Sequence, residues 1–204
     1  MTDTARGVRG VAARPVPTVG HLVDSPINVG ATIWFTGLSG AGKSTVAAAL
    51  GGLLAPSSTP YLLLDGDELR KGLSSDLGFS SEDRIENVRR ASEVAKLYAF
   101  SGHLAIVSMI SPFAAGRRRA RALHEDLGIP FVEVYVATPQ DVCEARDPKG
   151  MYARARRGEI ALFTGVSDSY EPPEAAEVVL QTSDRTPDES ALEVLATLEM
   201  LGLA

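Results

Sequence analysis

The 204-residue sequence has little cysteine and histidine: a single cysteine, Cys143, and three histidines scattered along the chain. One cysteine excludes an intramolecular disulfide, and these four residues show no spacing typical of a zinc site. We interpret Cys143 as a small packing residue on a helix. A lone thiol suits a reducing compartment, so we expect a cytoplasmic protein.

The sequence also lacks an excess of positive charge and an unbroken apolar segment. Its 20 Lys and Arg residues stand against 26 Asp and Glu residues, a formal net charge of −6. Because nucleic acids and membrane surfaces are anionic, we expect neither as a partner, and an anionic ligand requires local positive charge. The longest uncharged run, Ser44 to Leu64, is interrupted by Pro56 and Pro60, so it predicts a helix, a turn and a strand.

The amino-terminal segment, residues 1–29, contains three arginines but no apolar stretch of the kind that a secretory signal needs. We expect it to form a flexible tail that precedes one folded domain, residues 30–204. Its basic, small-residue-rich composition leaves a transit peptide as the alternative interpretation.

Short apolar runs alternate with helical patterns along the rest of the chain. Five β-rich runs begin near Ala31, Tyr61, Leu104, Phe131 and Val178, and apolar residues recur at helical spacing between them. This alternation predicts an α/β fold, a five-stranded parallel sheet with helices on both faces. Wholly apolar runs, the one at Tyr61 included, are typical of strands that are buried on both faces.

Capping residues mark the starts of two predicted helices. Ser80 or Ser81 precedes an acidic first turn, as an N-cap should. Thr186, with Pro187 next to it and Glu189 three residues later, has the pattern of a capping box.

A glycine-rich segment between the first strand and the first helix fits the pattern G-x-x-x-x-G-K-[ST] in every fixed position. Its glycines let backbone amides surround phosphate oxygens, Lys43 can reach the β- and γ-phosphates, and Ser44 can ligate Mg²⁺. The alternative is an accidental match in a glycine-rich turn. The predicted ATP-binding residues here are Gly37, Leu38, Ser39, Gly40, Ala41, Gly42, Lys43, Ser44 and Thr45.

Two aspartates, Asp65 and Asp67, follow the second predicted strand, at the sheet edge where parallel α/β folds bind ligands. One carboxylate can hold Mg²⁺ together with Ser44, and the other can orient or deprotonate an attacking hydroxyl. A simple Asp-Gly turn is the alternative. A guanine-specific switch is disfavoured because the tetrapeptide N-K-x-D is absent, and the length suits a small-molecule kinase.

From about Ala31 to about Thr182 the sequence resembles the adenylylsulfate kinase family in the order and spacing of its motifs. The matching segments are GLSGAGKST from Gly37, DGDELR from Asp65, DLGFS from Asp76, DRIENVRR from Asp83, ISPF from Ile110, DPKGMY from Asp147 and FTG from Phe163.

The resemblance implies a P-loop NTPase fold similar to that of nucleoside monophosphate kinases, with a mobile lid at about residues 146–165. It implies transfer of the γ-phosphoryl group of MgATP to the 3′-hydroxyl of adenosine 5′-phosphosulfate, giving 3′-phosphoadenosine 5′-phosphosulfate and ADP in sulfate assimilation. It leaves open a homodimer and an association with ATP sulfurylase.

The resemblance also implies a division of the site residues. Lys43, Asp65, Asp67 and Lys149 would be catalytic, Ser44 and Asp65 would hold Mg²⁺, and Arg146 would join the ATP site. Two rings, Phe79 and Phe163, would clamp the acceptor adenine. The acceptor-binding residues implied are Asp67, Arg70, Phe79, Arg84, Asn87, Ile110, Ser111, Lys149 and Phe163.

Two features depart from the family pattern. The arginine run Arg117, Arg118, Arg119 and Arg121 matches no motif, and we interpret it as a solvent-exposed helix face rather than a nucleic-acid contact. Near the acceptor and the lid, Ile85 and the pair Ala161-Leu162 replace residues usual in the family. Two alternatives therefore stay open: a related P-loop kinase with a different acceptor, and a non-catalytic nucleotide-binding subunit of a sulfate-activating complex.

Overall fold

Five parallel strands form one sheet, in the order β2-β3-β1-β4-β5, in the computed structural model, which describes residues 29–57 and 60–204. The tail expected at residues 1–29 lies outside the described residues except for its last residue. The sheet confirms the predicted fold class. The strands are β1 (Ala31–Thr36), β2 (Tyr61–Asp65), β3 (Leu104–Ser108), β4 (Phe131–Val136) and β5 (Val178–Leu180).

Helices follow the strands and connect them. A short 3₁₀ turn, Ala55–Ser57, follows the first helix, so the long uncharged run is the predicted helix, turn and strand. In the described residues no helix combines the length and the apolar character needed to cross a membrane. The helices are α1 (Lys43–Leu54), α2 (Gly66–Leu69), α3 (Ser81–Phe100), α4 (Ala114–Glu125), α5 (Gln140–Arg146), α6 (Met151–Arg156) and α7 (Pro187–Met200).

Apolar side chains on the two faces of the sheet form two separate cores. In β1, Ile33 and Phe35 face a core that includes residues of α1 and α7, whereas Trp34 faces a core built with α3 and α4. All three side chains are fully buried. The alternation along β1 therefore places helices on both faces, as the sequence predicts.

Both predicted helix caps are present. The side chain of Ser80 accepts a hydrogen bond from the Asp83 amide at the start of α3, which resolves the choice between Ser80 and Ser81. Thr186 and Glu189 form the reciprocal capping box at the start of α7. These caps fix the starts of α3 and α7.

Strand β2 corrects one prediction. Its apolar run predicts burial on both faces, but β2 lies at the edge of the sheet and pairs only with β3 among the described strands. Tyr61 and Leu63 are each 37% exposed. An apolar run indicates a strand, but its place in the sheet depends on long-range pairing that the run does not encode.

The arginine run of α4 corrects a second prediction, that of a solvent-exposed helix face. Arg118 and Arg119 are exposed, as predicted, but Arg117 is only 3% exposed and its Nε lies 2.7 Å from Oε1 of Glu133 on β4. Arg121 is partly buried, with Nη2 2.8 Å from Oε2 of Glu177. The prediction of an exposed face was therefore wrong for Arg117, because a charge can be buried when an opposite charge lies beside it.

Candidate functional site

A cavity of about 1120 Å³ opens at the carboxyl edge of the sheet. This volume exceeds the range of roughly 300–1,000 Å³ that is usual for one small ligand, so the cavity has room for two. The predicted site residues that line it are Ser39, Gly40, Gly42, Lys43, Ser44, Thr45, Asp65, Asp67, Phe79, Arg84, Ile110, Arg146, Lys149 and Phe163.

Three predicted phosphate-binding residues, Gly37, Leu38 and Ala41, do not line the cavity wall but shape the loop behind it. The Leu38 carbonyl accepts a hydrogen bond from Lys43, and the Ala41 carbonyl accepts one from Thr138. These contacts hold the backbone of the loop at Leu38 and Ala41.

Three predicted acceptor residues lie behind the cavity wall. Arg70 stacks over the Phe79 ring with its guanidinium carbon 4.5 Å from the ring centroid, and Asn87 is buried in α3. The hydroxyl of Ser111 accepts a hydrogen bond of 3.1 Å from the indole of Trp34. The side chain of Ser111 is therefore engaged with the core, and its contact with the acceptor stays a prediction.

The backbone of the glycine-rich loop requires glycine at the two glycine positions that the motif fixes, Gly37 and Gly42, and also at Gly40. These residues have φ of 147°, 101° and 75°, values that residues with a side chain rarely adopt. Gly42 is also the N-cap of α1. Because glycine has no side chain, the N-cap makes no side-chain hydrogen bond to the amides of the first helical turn. Exposed amides at a helix start are a binding site for phosphate.

Lys43 lies inside this loop. Its side chain is only 8% exposed, and its ammonium donates a hydrogen bond of 2.7 Å to the Leu38 carbonyl. Burial lowers the pKa of Lys43 from 10.5 to about 8, although the nearby carboxylates of Asp67 and Asp65 act in the opposite direction. The lysine is thus poised to gain stabilisation from an anion placed beside it.

Ser44 and Asp65 provide neighbouring oxygens at the end of β2. The Ser44 hydroxyl donates a hydrogen bond of 2.5 Å to Asp65 Oδ2, and it lies 3.1 Å from the hydroxyl of Ser108. Mg²⁺ usually takes one or two protein oxygens and completes its shell with phosphates and water. A hydroxyl and a carboxylate side by side fit that requirement.

Asp67 and Lys149 meet across the cavity. The Lys149 ammonium forms an ion pair with Asp67 Oδ2, and both side chains are about 60% exposed, at 59% and 61%. Asp147 holds the loop that carries Lys149. Its carboxylate accepts hydrogen bonds from the amides of Tyr152 and Ala153 at the start of α6. The structure therefore brings the predicted catalytic carboxylate and ammonium together.

The two predicted clamp rings have different surroundings. Phe79 is 49% exposed, whereas Phe163 is only 4% exposed and packs edge-to-face against Tyr152, with ring centroids 4.9 Å apart. Both rings line the cavity. About half of the surface of Phe79 is open to a ligand, whereas Phe163 lines the cavity from within the core. Their action as a clamp stays a prediction.

Arg84 connects the segments that carry the two rings. It donates one hydrogen bond of 3.0 Å to the Phe79 carbonyl and another of 2.9 Å to the Leu162 carbonyl. Asp168, a residue that the sequence analysis missed, lies 3.8 Å from its Nε. Burial lowers the pKa of Arg84, and the Asp168 carboxylate opposes that effect.

Sequence reasoning also missed Thr182, which joins the predicted ATP residue Arg146 to the loop. Arg146 donates 3.0 and 2.6 Å hydrogen bonds to the hydroxyl and carbonyl of Thr182. The Thr182 hydroxyl lies 2.8 Å from the Ala41 carbonyl, to which it donates. Thr182 follows β5, so the rule that ligands lie beyond the carboxyl ends of the strands was the signal that points to it.

Known proteins resemble this chain over most of its length. The family model described as adenylylsulphate kinase matches residues 29–181. An adenylyl-sulfate kinase of Clostridium acetobutylicum is 53% identical over 170 residues, which cover 83% of this chain and 84% of that protein. A bifunctional enzyme CysN/CysC of Mycobacterium tuberculosis is 52% identical over 199 residues, which cover 94% of this chain and 32% of that enzyme.

A solved structure has the same fold. The Mycobacterium tuberculosis APS kinase CysC in complex with AMPPNP and APS superposes with a TM-score of 0.81 at 52% identity. The match covers 84% of this chain and 98% of that one.

Proposed function

Because the chain belongs to the adenylylsulfate kinase family, we propose that its cavity is divided into an MgATP side and an acceptor side, both served by the residues described above. The protein is an ATP-dependent kinase that transfers the γ-phosphoryl group of ATP to the 3′-hydroxyl of adenosine 5′-phosphosulfate. The observation that carries the proposed division is that one cavity is lined both by Lys43 of the glycine-rich loop and by the exposed ring of Phe79.

On the ATP side, the amides of the loop and the Lys43 ammonium bind the phosphates. Arg146, held by Thr182, lies at the same end of the cavity and contributes a further positive charge. Ser44 and Asp65 would hold Mg²⁺, which would supply positive charge against the negative charge of the phosphates.

On the acceptor side, Asp67 orients the 3′-hydroxyl and accepts its proton. The acceptor oxygen forms a bond to the γ-phosphorus as the bond from that phosphorus to the bridging oxygen of ADP breaks. Lys149 lies against Asp67 and neutralises charge on the phosphoryl group in transit. The side chain of Lys149 is 59% exposed, so we propose that the segment around it closes over the bound nucleotides, excludes water and limits hydrolysis of ATP.

The base and the phosphosulfate of the acceptor are bound by neighbouring groups. Phe79 stacks on the adenine, and Arg84, which lines the cavity beside that ring, meets the anionic phosphosulfate. Arg70 packs on the Phe79 ring behind the cavity wall, and we include it in the acceptor site on the family resemblance. Ile110 also lines the cavity. We include Phe163, Asn87 and Ser111 in the acceptor site on the family resemblance alone.

The acceptor is tested by measuring ADP release from the purified protein with adenosine 5′-phosphosulfate, with AMP and with no acceptor. We expect release only with the sulfated nucleotide. Equal rates with AMP would favour the kinase with a different acceptor. Tight ATP binding without turnover would favour the non-catalytic subunit, although the site retains Lys43, Asp67 and Lys149.

Replacement of Phe79 by Ala is expected to raise the acceptor KM by about 5- to 150-fold, since stacking of a base on an aromatic ring contributes roughly 1–3 kcal/mol. The KM for ATP should stay unchanged. Initial rates over a matrix of both substrates measure the two constants. Phe79→Tyr, which keeps the flat ring, is the matched control, and a selective rise in the KM for ATP would assign the ring to the wrong nucleotide.

Binding of ATP at pH 8 is expected to take up about half a proton, because Lys43 is half protonated at its pKa of about 8 and a phosphate beside it raises that pKa. Affinity for ATP should fall as the pH rises through this value. Titration calorimetry in two buffers of different ionisation enthalpy measures the uptake. The proton uptake should vanish in Lys43→Met. It should persist in Lys71→Met, which serves as a control at an exposed lysine. Equal proton uptake in both variants would exclude Lys43 as its source.

The partner predictions beyond the two substrates stay proposals. The similarity to one part of a bifunctional enzyme supports an association with a second sulfate-activating enzyme, for which ATP sulfurylase is the candidate. We also propose a homodimer and a cytoplasmic location. Light scattering of the chain alone and with ATP sulfurylase tests both assemblies.

A further inference from the structure

The turn that follows β3 has an unusual backbone. Ile110 lines the cavity, and the next residue, Ser111, has a φ of 40°, in the left-handed region. Such a conformation in a residue other than glycine costs on the order of 1–3 kcal/mol and persists only where its surroundings hold it. The contacts of this turn therefore determine where one wall of the cavity stands.

The guanidinium of Arg117 holds the turn from behind. Nη1 donates a hydrogen bond of 2.8 Å to the Ser111 carbonyl, and Nη2 donates one of 2.7 Å to the Glu171 carbonyl. Nε donates one of 2.7 Å to the Glu133 carboxylate on β4. A guanidinium directs these donors in fixed directions, so one buried side chain ties three separate segments together.

A second set of contacts fixes the same turn from β1. The Thr36 hydroxyl donates a hydrogen bond of 2.8 Å to the Ile110 carbonyl and lies 3.0 Å from the hydroxyl of Tyr170. The Trp34 indole donates to the Ser111 hydroxyl. The Glu171 amide donates a 2.9 Å hydrogen bond to the Pro112 carbonyl, so the turn and the segment around Glu171 are joined directly.

We infer that Arg117, oriented by Glu133, is a positioning residue that sets the place of the Ile110–Ser111 wall against the acceptor. This inference rests on the proposed acceptor side of the cavity. Stability alone does not require the pair, because apolar residues of similar volume often replace a buried ion pair without loss. Apolar side chains cannot donate hydrogen bonds to the Ser111 and Glu171 carbonyls. The guanidinium of Arg117 is therefore needed to hold these two segments rather than to stabilise the fold.

Two variants separate positioning from folding. Arg117→Lys keeps the charge beside Glu133 but lacks the forked donors. The double variant Arg117→Met with Glu133→Met removes both charges of the pair, so neither is left buried without the other. Arg121 keeps its ion pair with Glu177 in this variant. Arg118→Met, one residue away on the exposed side of α4, is the matched control. The measurements are the KM for each substrate, kcat and the midpoint of thermal unfolding.

We expect the acceptor KM to rise by on the order of tenfold to a hundredfold in both test variants, since small displacements of a substrate-positioning group have effects of this size. The KM for ATP and the unfolding midpoint of Arg117→Lys should stay near the wild-type values. Unchanged acceptor KM in either folded variant, or equal rises in both KM values, would overturn the inference. If the wild-type protein itself fails to phosphorylate adenosine 5′-phosphosulfate, the proposed function fails first, and the wild-type assay shows that separately.

Discussion

Replacement of Asp67 by Asn is expected to lower kcat by about a hundredfold to ten-thousandfold, the range that removal of a general base produces. Affinity for ATP should change little, because among the described contacts Asp67 makes no hydrogen bond to the glycine-rich loop, and Asp65, the other carboxylate that raises the pKa of Lys43, is retained. Asn has nearly the same shape but cannot accept the proton of the 3′-hydroxyl. Steady-state turnover and nucleotide binding, measured on the same preparation, separate the two effects.

The neighbouring Glu68 supplies the matched control for Asp67. It lies on the same short helix, α2, is 67% exposed and pairs with Lys71 rather than with a residue of the cavity. Glu68→Gln should leave kcat unchanged. Wild-type turnover in Asp67→Asn would remove Asp67 from the catalytic residues.

The ion pair with Lys149 permits another explanation of a slow Asp67→Asn enzyme, namely that Asp67 only holds Lys149 in place. A double-mutant cycle with Lys149→Met distinguishes these roles. If Asp67 acts only through Lys149, the double variant should be no slower than Lys149→Met alone. We expect it to be slower, because proton acceptance and charge neutralisation are separate contributions to the transition state.

The glycine-rich loop was predictable from sequence because its chemistry restricts the residue types. The two glycines that the motif fixes, Gly37 and Gly42, both have positive φ, and the fixed lysine, Lys43, begins α1, so each fixed residue type meets a requirement of the backbone. The edge position of β2 was not predictable in this way. It depends on which strands pair, and both the edge and the centre of a parallel sheet accept apolar runs.

Sequence patterns predict a site residue less well where its residue type suits two environments. A phenylalanine suits a core and a ligand clamp equally, and Phe163 does line the cavity while it packs against Tyr152. For Arg117 a signal was present and was overlooked. Glu133 is the one charged residue of the apolar strand β4, and a carboxylate on a buried strand requires a buried cation as a partner.

Replacement of Gly37 by Ala is expected to weaken ATP binding by at least about tenfold, because displacing a phosphate-positioning loop by about 1 Å has large effects. A Cβ at Gly37 would lie 2.5 Å from the Val136 carbonyl, at a φ of 147°. The backbone at Gly37 and at Val136 must then move apart. The strained conformation should also lower the free energy of unfolding by roughly 1–3 kcal/mol.

Gly52 makes this prediction specific to the loop. It lies within α1, it is exposed, and a Cβ added there meets no atom within 4 Å. Gly52→Ala should therefore raise the free energy of unfolding by about 1 kcal/mol through helix propensity and leave ATP binding unchanged. Both glycines belong to the same β1–loop–α1 unit. We therefore expect opposite shifts in the free energy of unfolding and a loss of ATP affinity only in Gly37→Ala. That result would locate the effect in the backbone that surrounds the phosphates. Wild-type ATP affinity in Gly37→Ala would mean that binding does not depend on this loop conformation.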